Sequence, residues 1–322
     1  MPACPRVAVL IPCYNEAVAI GRVIADFRAH LPAATIYVYD NNSADDTANV
    51  ARGAGAVVRN ERLQGKGHVV RRMFADIEAD IFLLVDGDDT YAAASAPAML
   101  RKLADEHLDM VIGARQDTVQ AAYRPGHRLG NAVLTGLVRL VFGDRVSDML
   151  SGYRVFSRRF VKSFPALADG FETETEFTVH ALDLAMPIGE VVTPYKDRPP
   201  GSVSKLRTYA DGIRILRTIV LLVKEFRPLQ FFGSAGAALL ALAIILAIPL
   251  IGVYLETGLV PRLPTAVLAT GLVLLACLAV VCGLILDSVA RGRKEMKRLA
   301  YLAIPALVCA DAPVHAMDGS GE

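Results

Sequence analysis

Three carboxylates fall within four positions in IFLLVDGDDTYAA, residues 81–93: Asp86, Asp88 and Asp89. With nothing between them they would repel one another. A hard divalent ion is the usual counter-charge, and Mg2+ or Mn2+ typically takes one or two carboxylates together with substrate phosphates. On extended chain, side chains alternate with period two, so Asp86 and Asp88 would point the same way and Asp89 elsewhere. Alone, Asp-x-Asp is most often a solvated acidic turn. Here it follows a wholly apolar run, and it shares the chain with several other polar turns in equivalent positions. That context favours a cation site carrying phosphate chemistry.

The elements that must position those carboxylates alternate in type. RVAVLIPCYNE reads as a short strand ending in a polar turn. EAVAIGRVIADFRAHL has apolar residues at helical spacing. TIYVYD reads as a second strand, and NNSADDT as a turn with N-cap residues. ANVARGAG reads as a helix ending in glycines, AVVRN as a third strand, and GKGHVVRRMFADIEA as a glycine-rich turn entering a helix. DIFLLVD and DMVIGAR complete the strands, the former apolar throughout and so buried on both faces. This alternation predicts a mostly parallel α/β sheet with helices on both faces, and ligands gather at the C-terminal ends of such strands. The turns PCYNE, DNNS, DGDDTY and GAR lie at those ends.

The chain has 322 residues and a formal net charge of +1, so no global field points to nucleic acid. Mean hydropathy is +0.39, with the excess concentrated late in the chain. Two uncharged apolar runs, Leu229 to Tyr254 and Leu263 to Leu286, are each long enough to cross the hydrocarbon core, as helices over about 230–254 and 263–287. Basic residues crowd the outer flanks, among them Arg214, Arg217, Arg227, Arg291, Arg293 and Lys294, while the short linker holds only Glu256 and Arg262. The positive-inside rule then predicts an integral protein of the cytoplasmic (inner) membrane, with catalytic domain and both termini cytoplasmic. Residues 205–228 alternate apolar and basic faces and are expected to form an amphipathic interface helix. The expected organisation is a catalytic domain over 1–204, that helix, two transmembrane helices within 229–288, and a basic cytoplasmic tail over 289–322. The N-terminus lacks a signal-peptide layout. Five cysteines show neither zinc nor disulfide spacing.

Taken together, VAVLIPCYNE, VYDNNSADDT, GKG, LLVDGDD, VIGAR, SDMLSGYRVFSR and the two C-terminal spans resemble family 2 glycosyltransferases. The resemblance is strongest to the polyprenyl-phosphate branch, of the dolichol-phosphate mannose synthase type, and covers residues 6–288. It implies a GT-A fold (Rossmann-like), a UDP- or GDP-linked sugar donor, a divalent cation (Mg2+ or Mn2+), and a polyprenyl-phosphate acceptor at the membrane. Residue by residue, it places Pro12, Tyr14 and Glu16 in the first nucleotide-binding turn and Asp40 on the base. Ser43 and Asp45 would shape and cap the second turn. Asp86 and Asp88 match the diphosphate–metal pair, and Thr90, as the third metal ligand, stands where better-known members carry Gln. Its shorter hydroxyl would leave room for water. Arg115 and Arg128 match positions near the donor and acceptor phosphates, with Arg124 and His127 nearby. Arg198, Ser204 and Lys205 match a phosphate-clamping loop.

Of three alternating glutamates, Glu172, Glu174 and Glu176, the resemblance favours Glu174 facing the donor sugar. On a helix these would be mostly solvated; on an extended segment they would share a face. Gly152 reads as a close turn and Arg154 as either a buried ion pair or a functional group. Lys66 reads first as a residue of a solvated loop and second as a contact of the nucleotide.

The implied reaction is inverting sugar transfer to a polyprenyl phosphate, with Asp88, Arg128 and Arg198 as the catalytic groups. The product would feed cell-envelope glycan or protein glycosylation. The alternatives are a membrane-tethered nucleotide-sugar scaffold without activity, or a transferase for another lipid or glycan acceptor. Processive synthases carry Gln-x-x-Arg-Trp, and this chain has no tryptophan. A nucleotidyltransferase would need a more glycine-rich first turn. A homo-oligomer is compatible with the sequence.

Overall fold

The computed structural model describes residues 5–116, 146–166, 172–196, 221 and 224–307. The described residues divide into two compact units, one built from the N-terminal part with residues from Lys297 onward, the other from Ile213–Met296.

The first unit is an α/β sandwich. Its seven-stranded sheet has the order β3-β2-β1-β4-β6-β5-β7, with β1 Val7–Cys13, β2 Thr35–Asp40, β3 Val57–Asn60, β4 Ile81–Leu84, β5 Met110–Gln116, β6 Arg154–Ser157 and β7 Ile188–Pro194. Strand β6 runs antiparallel to both β4 and β5, and every other pairing is parallel. The helices are α1 Ile20–His30, α2 Thr47–Gly53, α3 Lys66–Asp76, α4 Ala96–Asp105, α5 Arg158–Ser163 and α6 Thr173–Asp183.

Strand alternation explains the three layers. In β1, Ala8 and Leu10 enter one core while Val9 and Ile11 enter the other. Leu10 shares that core with Val70, Met73 and Phe74 of α3 and with Phe160 and Phe177. Val9 and Ile11 meet Ile20, Ile24 and Phe27 of α1 and Met99 and Leu103 of α4. This is the mostly parallel, doubly covered sheet that the alternation of elements predicts, with the GT-A-like antiparallel insertion at β6. The C-terminal ends of β1, β2 and β4 stand side by side, and the backbone N–H of Val85 donates to Leu10 O at 3.0 Å.

Residues from Lys297 onward complete this unit. The Tyr301 hydroxyl donates to Asp109 Oδ2 at 2.8 Å. Arg159 Nε donates to Asp109 Oδ1 at 2.5 Å, and its guanidinium lies 4.8 Å from the centre of the Tyr301 ring.

His180 is buried on the α6 face, edge-on to Phe160 and Phe164 at 5.4 Å each. Its Nδ1 has no hydrogen-bond partner. Burial, helped by the charge of Lys297, pushes its pKa down to about 3. As pH falls below the unfolded value near 6.5, the unfolded chain takes up a proton that the folded chain refuses. The associated stability is complete above about pH 6.5 and is lost as pH falls toward 3. Thermal unfolding in detergent should therefore decline below about pH 6.5, by up to about 1.4 kcal/mol per pH unit. The variant His180→Leu should flatten that slope; an unchanged slope would assign the acid sensitivity elsewhere.

Two helices are long and apolar enough to cross a membrane, α7 Pro228–Thr257 and α8 Leu263–Leu302; the second unit holds α7 and α8 as far as Met296. Helix α7 ends at Gly258, which adopts φ +67° in a left-handed cap. The two helices approach through small residues: a Cβ on Gly236 would come 3.1 Å from Ala276 O, and one on Gly283 3.2 Å from Phe232 Cβ. Beyond Pro228 at the start of α7, the buried positions are Gly236 and Ala243 on one helix and Ala269, Ala276 and Gly283 on the other. Each set repeats at seven, the spacing that keeps a close seam between helices. Large apolar side chains such as Ile245, Leu255, Leu268 and Leu278 stay exposed. The interface helix expected over 205–228 lies almost wholly outside the described residues.

Candidate active site

The turns after β1 and β2 are interlocked by short polar side chains. Asn15 and Asn42 take left-handed φ values of 54° and 63°, which asparagine tolerates. The Asn15 N–H donates to Ser43 Oγ at 2.9 Å, and the Ala44 N–H donates to Asn15 Oδ1 at 2.7 Å. Asp45 accepts from the Ala17 N–H, and Thr47 Oγ1 accepts from the Glu16 N–H. Ser43 and Asp45 thus shape this turn, as their residue types suggest. Pro12 is the penultimate residue of β1; Tyr14 is partly exposed and Glu16 is buried.

Asp40, the last residue of β2, is also buried. Its Oδ2 accepts from the Ser43 N–H at 3.1 Å, whereas Oδ1 has no partner. A buried carboxylate oxygen without a donor is costly, which makes it a candidate to receive a ligand N–H. Beside it, Asn41 donates to Glu61 O and Leu63 O and accepts from the Gly65 N–H at 2.7 Å. Asn41 therefore holds the loop that delivers Lys66. Sequence reasoning passed over it, although its type and its place in DNNS were the available signal.

The acidic turn differs from the strand-based expectation. Strand β4 ends at Leu84, so Asp86 and Asp88 sit in the turn beyond it and strand alternation does not orient them. Lys66 Nζ lies 2.5 Å from Asp86 Oδ1 and 2.5 Å from Glu174 Oε1. Lys66 is therefore not on a solvated loop: its side chain is only 9% exposed. Burial alone would lower its pKa, but the charges and hydrogen bonds of Asp86 and Glu174 overcome this and hold it well above an ordinary lysine. Glu174 is on helix α6, yet it is buried rather than solvated, because α6 presents it inward beside Thr173 and Phe177. Glu172 and Glu176 stay half-buried.

The oxygen-only donor set suits a hard cation, and an ammonium already stands between two of its carboxylates. Among the described residues, no group of three His, Cys, Asp or Glu forms a ready metal centre. Two carboxylates completed by substrate phosphates remain a fitting set for Mg2+ or Mn2+.

The glycosyl transferase family 2 model matches residues 8–164, spanning the turns after β1 and β2 and the acidic turn. Glycosyltransferase AglJ of Haloferax volcanii is 37% identical over 254 residues, 77% of this chain and 82% of AglJ. The chain belongs to glycosyl transferase family 2. A dolichyl-phosphate hexose transferase of the same organism is 28% identical over 220 residues, 68% of this chain and 95% of the relative. Among solved structures, glucosyl-3-phosphoglycerate synthase of Mycobacterium tuberculosis in complex with Mn2+ and UDP-glucose is similar in fold. It aligns with a TM-score of 0.55 at 22% identity, over 68% of this chain and 78% of that one.

In this glycosyltransferase the residues around the acidic turn are braced from several elements. Asp88 is buried, and its Oδ1 accepts from the Thr90 hydroxyl at 2.6 Å and the Thr90 N–H at 3.3 Å. Asp89, at φ +61°, turns away to Arg22 at 3.1 Å and Lys196 at 3.7 Å. The Gly152 N–H donates to the Tyr91 hydroxyl at 2.9 Å, bringing the SGYR turn against Asp86.

Arg115 grips Asp148 through Nε at 2.7 Å and Nη2 at 2.8 Å and lies over the Tyr195 ring. Burial would raise the Asp148 pKa, but these bonds to Arg115 hold it below the usual carboxylate range. Arg154 is fully buried, donating to Ser151 O at 2.9 Å, Met149 O at 2.6 Å and Thr178 Oγ1 at 2.9 Å. Burial brings its pKa down to about 10, so it stays charged at neutral pH. Its direct partners are carbonyls, a hydroxyl and the Met110 sulfur rather than the carboxylate of an ion pair, which makes it the brace of the SGYR turn. Arg124, His127, Arg128, Arg198, Ser204 and Lys205 lie outside the described residues.

Proposed function

We propose that this family 2 enzyme transfers a hexose, with inversion, from a nucleotide sugar to a polyprenyl phosphate at the cytoplasmic face of a membrane. The observation that carries the reading is the presence, in one chain, of this site and two helices apolar enough to span a bilayer. The dolichyl-phosphate hexose transferase supports the acceptor class, and the Mn2+–UDP-glucose complex of the fold neighbour supports the donor and the cation.

Asp40 would accept the imide N–H of uracil or guanine on its unpartnered Oδ1. Pro12, Tyr14 and Glu16 would line the nucleotide. Asp86 and Asp88 would hold the donor diphosphate through a divalent cation, with Thr90 locking Asp88 and Glu174 facing the sugar. Bound there, the cation would neutralise charge on the departing diphosphate. Arg115 would lie toward the donor, while Arg128, Arg198, Ser204 and Lys205 would hold the acceptor phosphate. That phosphate is already anionic, so its oxygen attacks the anomeric carbon without a general base, and catalysis is positioning and charge stabilisation.

Incubation of the protein in lipid with a panel of UDP- and GDP-sugars and undecaprenyl phosphate, followed by mass analysis, tests this. The expected product is a cation-dependent monoglycosylated lipid phosphate; transfer only to a water-soluble acceptor would overturn the acceptor assignment. In the same assay Asp40→Ala should raise the donor KM at least tenfold, because a charged hydrogen bond contributes about 1.5–3 kcal/mol. The kcat should stay within a few-fold. An unchanged donor KM would remove Asp40 from the base site.

A further inference from the structure

Lys66 sits at the centre of the acidic site, yet the transfer as drawn gives it no task. It is the first residue of α3, and its Nζ lies between Asp86 Oδ1 and Glu174 Oε1. The position an incoming cation needs at Asp86 is thus already filled by an ammonium. We propose that Lys66 is an internal counter-ion that holds Asp86 until a nucleotide diphosphate draws its ammonium away, so that donor and divalent cation bind as a coupled pair. This rests on the reading of Asp86 as a ligand of that cation.

The charges explain the coupling. Without nucleotide, one ammonium faces two carboxylates, which leaves a net negative charge, and Asp86 already has a cationic partner. Adding a divalent cation then brings two positive centres onto one carboxylate in a buried site, where like charges repel strongly. A diphosphate brings several negative charges and relieves both centres at once. Asp86 can pass to the metal while Lys66 turns to phosphate and keeps Glu174 as its second partner. The loop geometry reinforces this link. Asn41 holds the Gly65 N–H, so the backbone delivering Lys66 is tied to the residue next to Asp40. The Asn41 side chain thus ties the loop that carries Lys66 to the turn that holds Asp40. Because coupling between two ligands is reciprocal, Mn2+ must raise nucleotide affinity by the factor with which nucleotide raises Mn2+ affinity.

The test is Mn2+ binding to the full-length protein in detergent, read by electron paramagnetic resonance of free Mn2+, with no nucleotide and with saturating UDP or GDP in separate arms. In the wild type, one of the two nucleotides should tighten Mn2+ binding at least tenfold. Lys66→Met should bind Mn2+ alone at least tenfold more tightly than the wild type and gain less from nucleotide. The double variant Lys66→Met/Glu174→Gln removes the carboxylate left without a partner and should behave likewise; thermal unfolding verifies that each variant is folded. Mn2+ affinities without nucleotide no higher in the variants than in the wild type would overturn the proposal. Failure of all three proteins to bind Mn2+ even with nucleotide would instead overturn the cation reading of Asp86, and this inference with it.

Discussion

Asp88→Asn should lower kcat/KM for sugar transfer by a thousandfold or more, about 4 kcal/mol of lost transition-state stabilisation, while leaving the protein folded. Asparagine retains a side-chain oxygen to accept the Thr90 hydroxyl and N–H, which Asp88 Oδ1 now accepts at 2.6 and 3.3 Å. It loses the negative charge. The substitution therefore separates the carboxylate's part in the chemistry from its part in closing the turn. Thermal unfolding should shift by only a few degrees, since the internal hydrogen bonds survive. Initial rates against donor concentration, paired with a melting curve, check both halves. Turnover like that of the wild type would remove Asp88 from the chemistry. Equal loss of stability and activity would make it a structural residue of the turn.

What the sequence made legible follows from the range of each interaction. Strand β2 matches the apolar run TIYVYD residue for residue, and the interleaved helices follow from i, i+3 and i+4 spacing. These signals are local, and burial on both sheet faces makes them strong. Strand β6 was hidden because it is four residues long and opens on Arg154, a charge that no strand pattern favours and whose donors are met by Ser151 O, Met149 O and Thr178 only in the folded chain. The acidic pair drew notice through strand alternation, but the backbone has already left the strand at Leu84. Lys66 and Glu174 are 108 positions apart, so no spacing rule could join them. On helix α6, Glu174 shares its alternation with two half-buried glutamates, and only tertiary packing distinguishes it. The resemblance to a known family assigns residues in the polar turns. It gave no account of Asn41, which acts entirely through backbone groups of a neighbouring loop.

Gly152→Ala is expected to cut transfer at least a hundredfold, about 2.7 kcal/mol, through a single methyl group. A Cβ there would fall 2.3 Å from Asp86 Oδ2 and 2.9 Å from its Cγ, closer than van der Waals contact permits. Either the turn or the carboxylate must move. The turn is pinned: Gly152 donates to Tyr91, Ser151 Oγ donates to Gly113 O at 2.6 Å, and Arg154 holds the carbonyls of Ser151 and Met149. Asp86 is the softer partner, since its side chain is 30% exposed and can rotate toward solvent. The methyl group thus evicts one carboxylate of the proposed diphosphate pair and breaks its contact with Lys66, at a stability cost of about 1–3 kcal/mol. Gly189→Ala is the control. Its Cβ would meet Leu108 Cδ1 at 2.5 Å and Lys102 Cε at 2.9 Å, neither of which belongs to the proposed site. That variant should lose stability but keep its activity per folded molecule. If both glycine variants lost activity only in proportion to folded protein, the close approach at Gly152 would be a packing feature, and Asp86 would have room the geometry denies it.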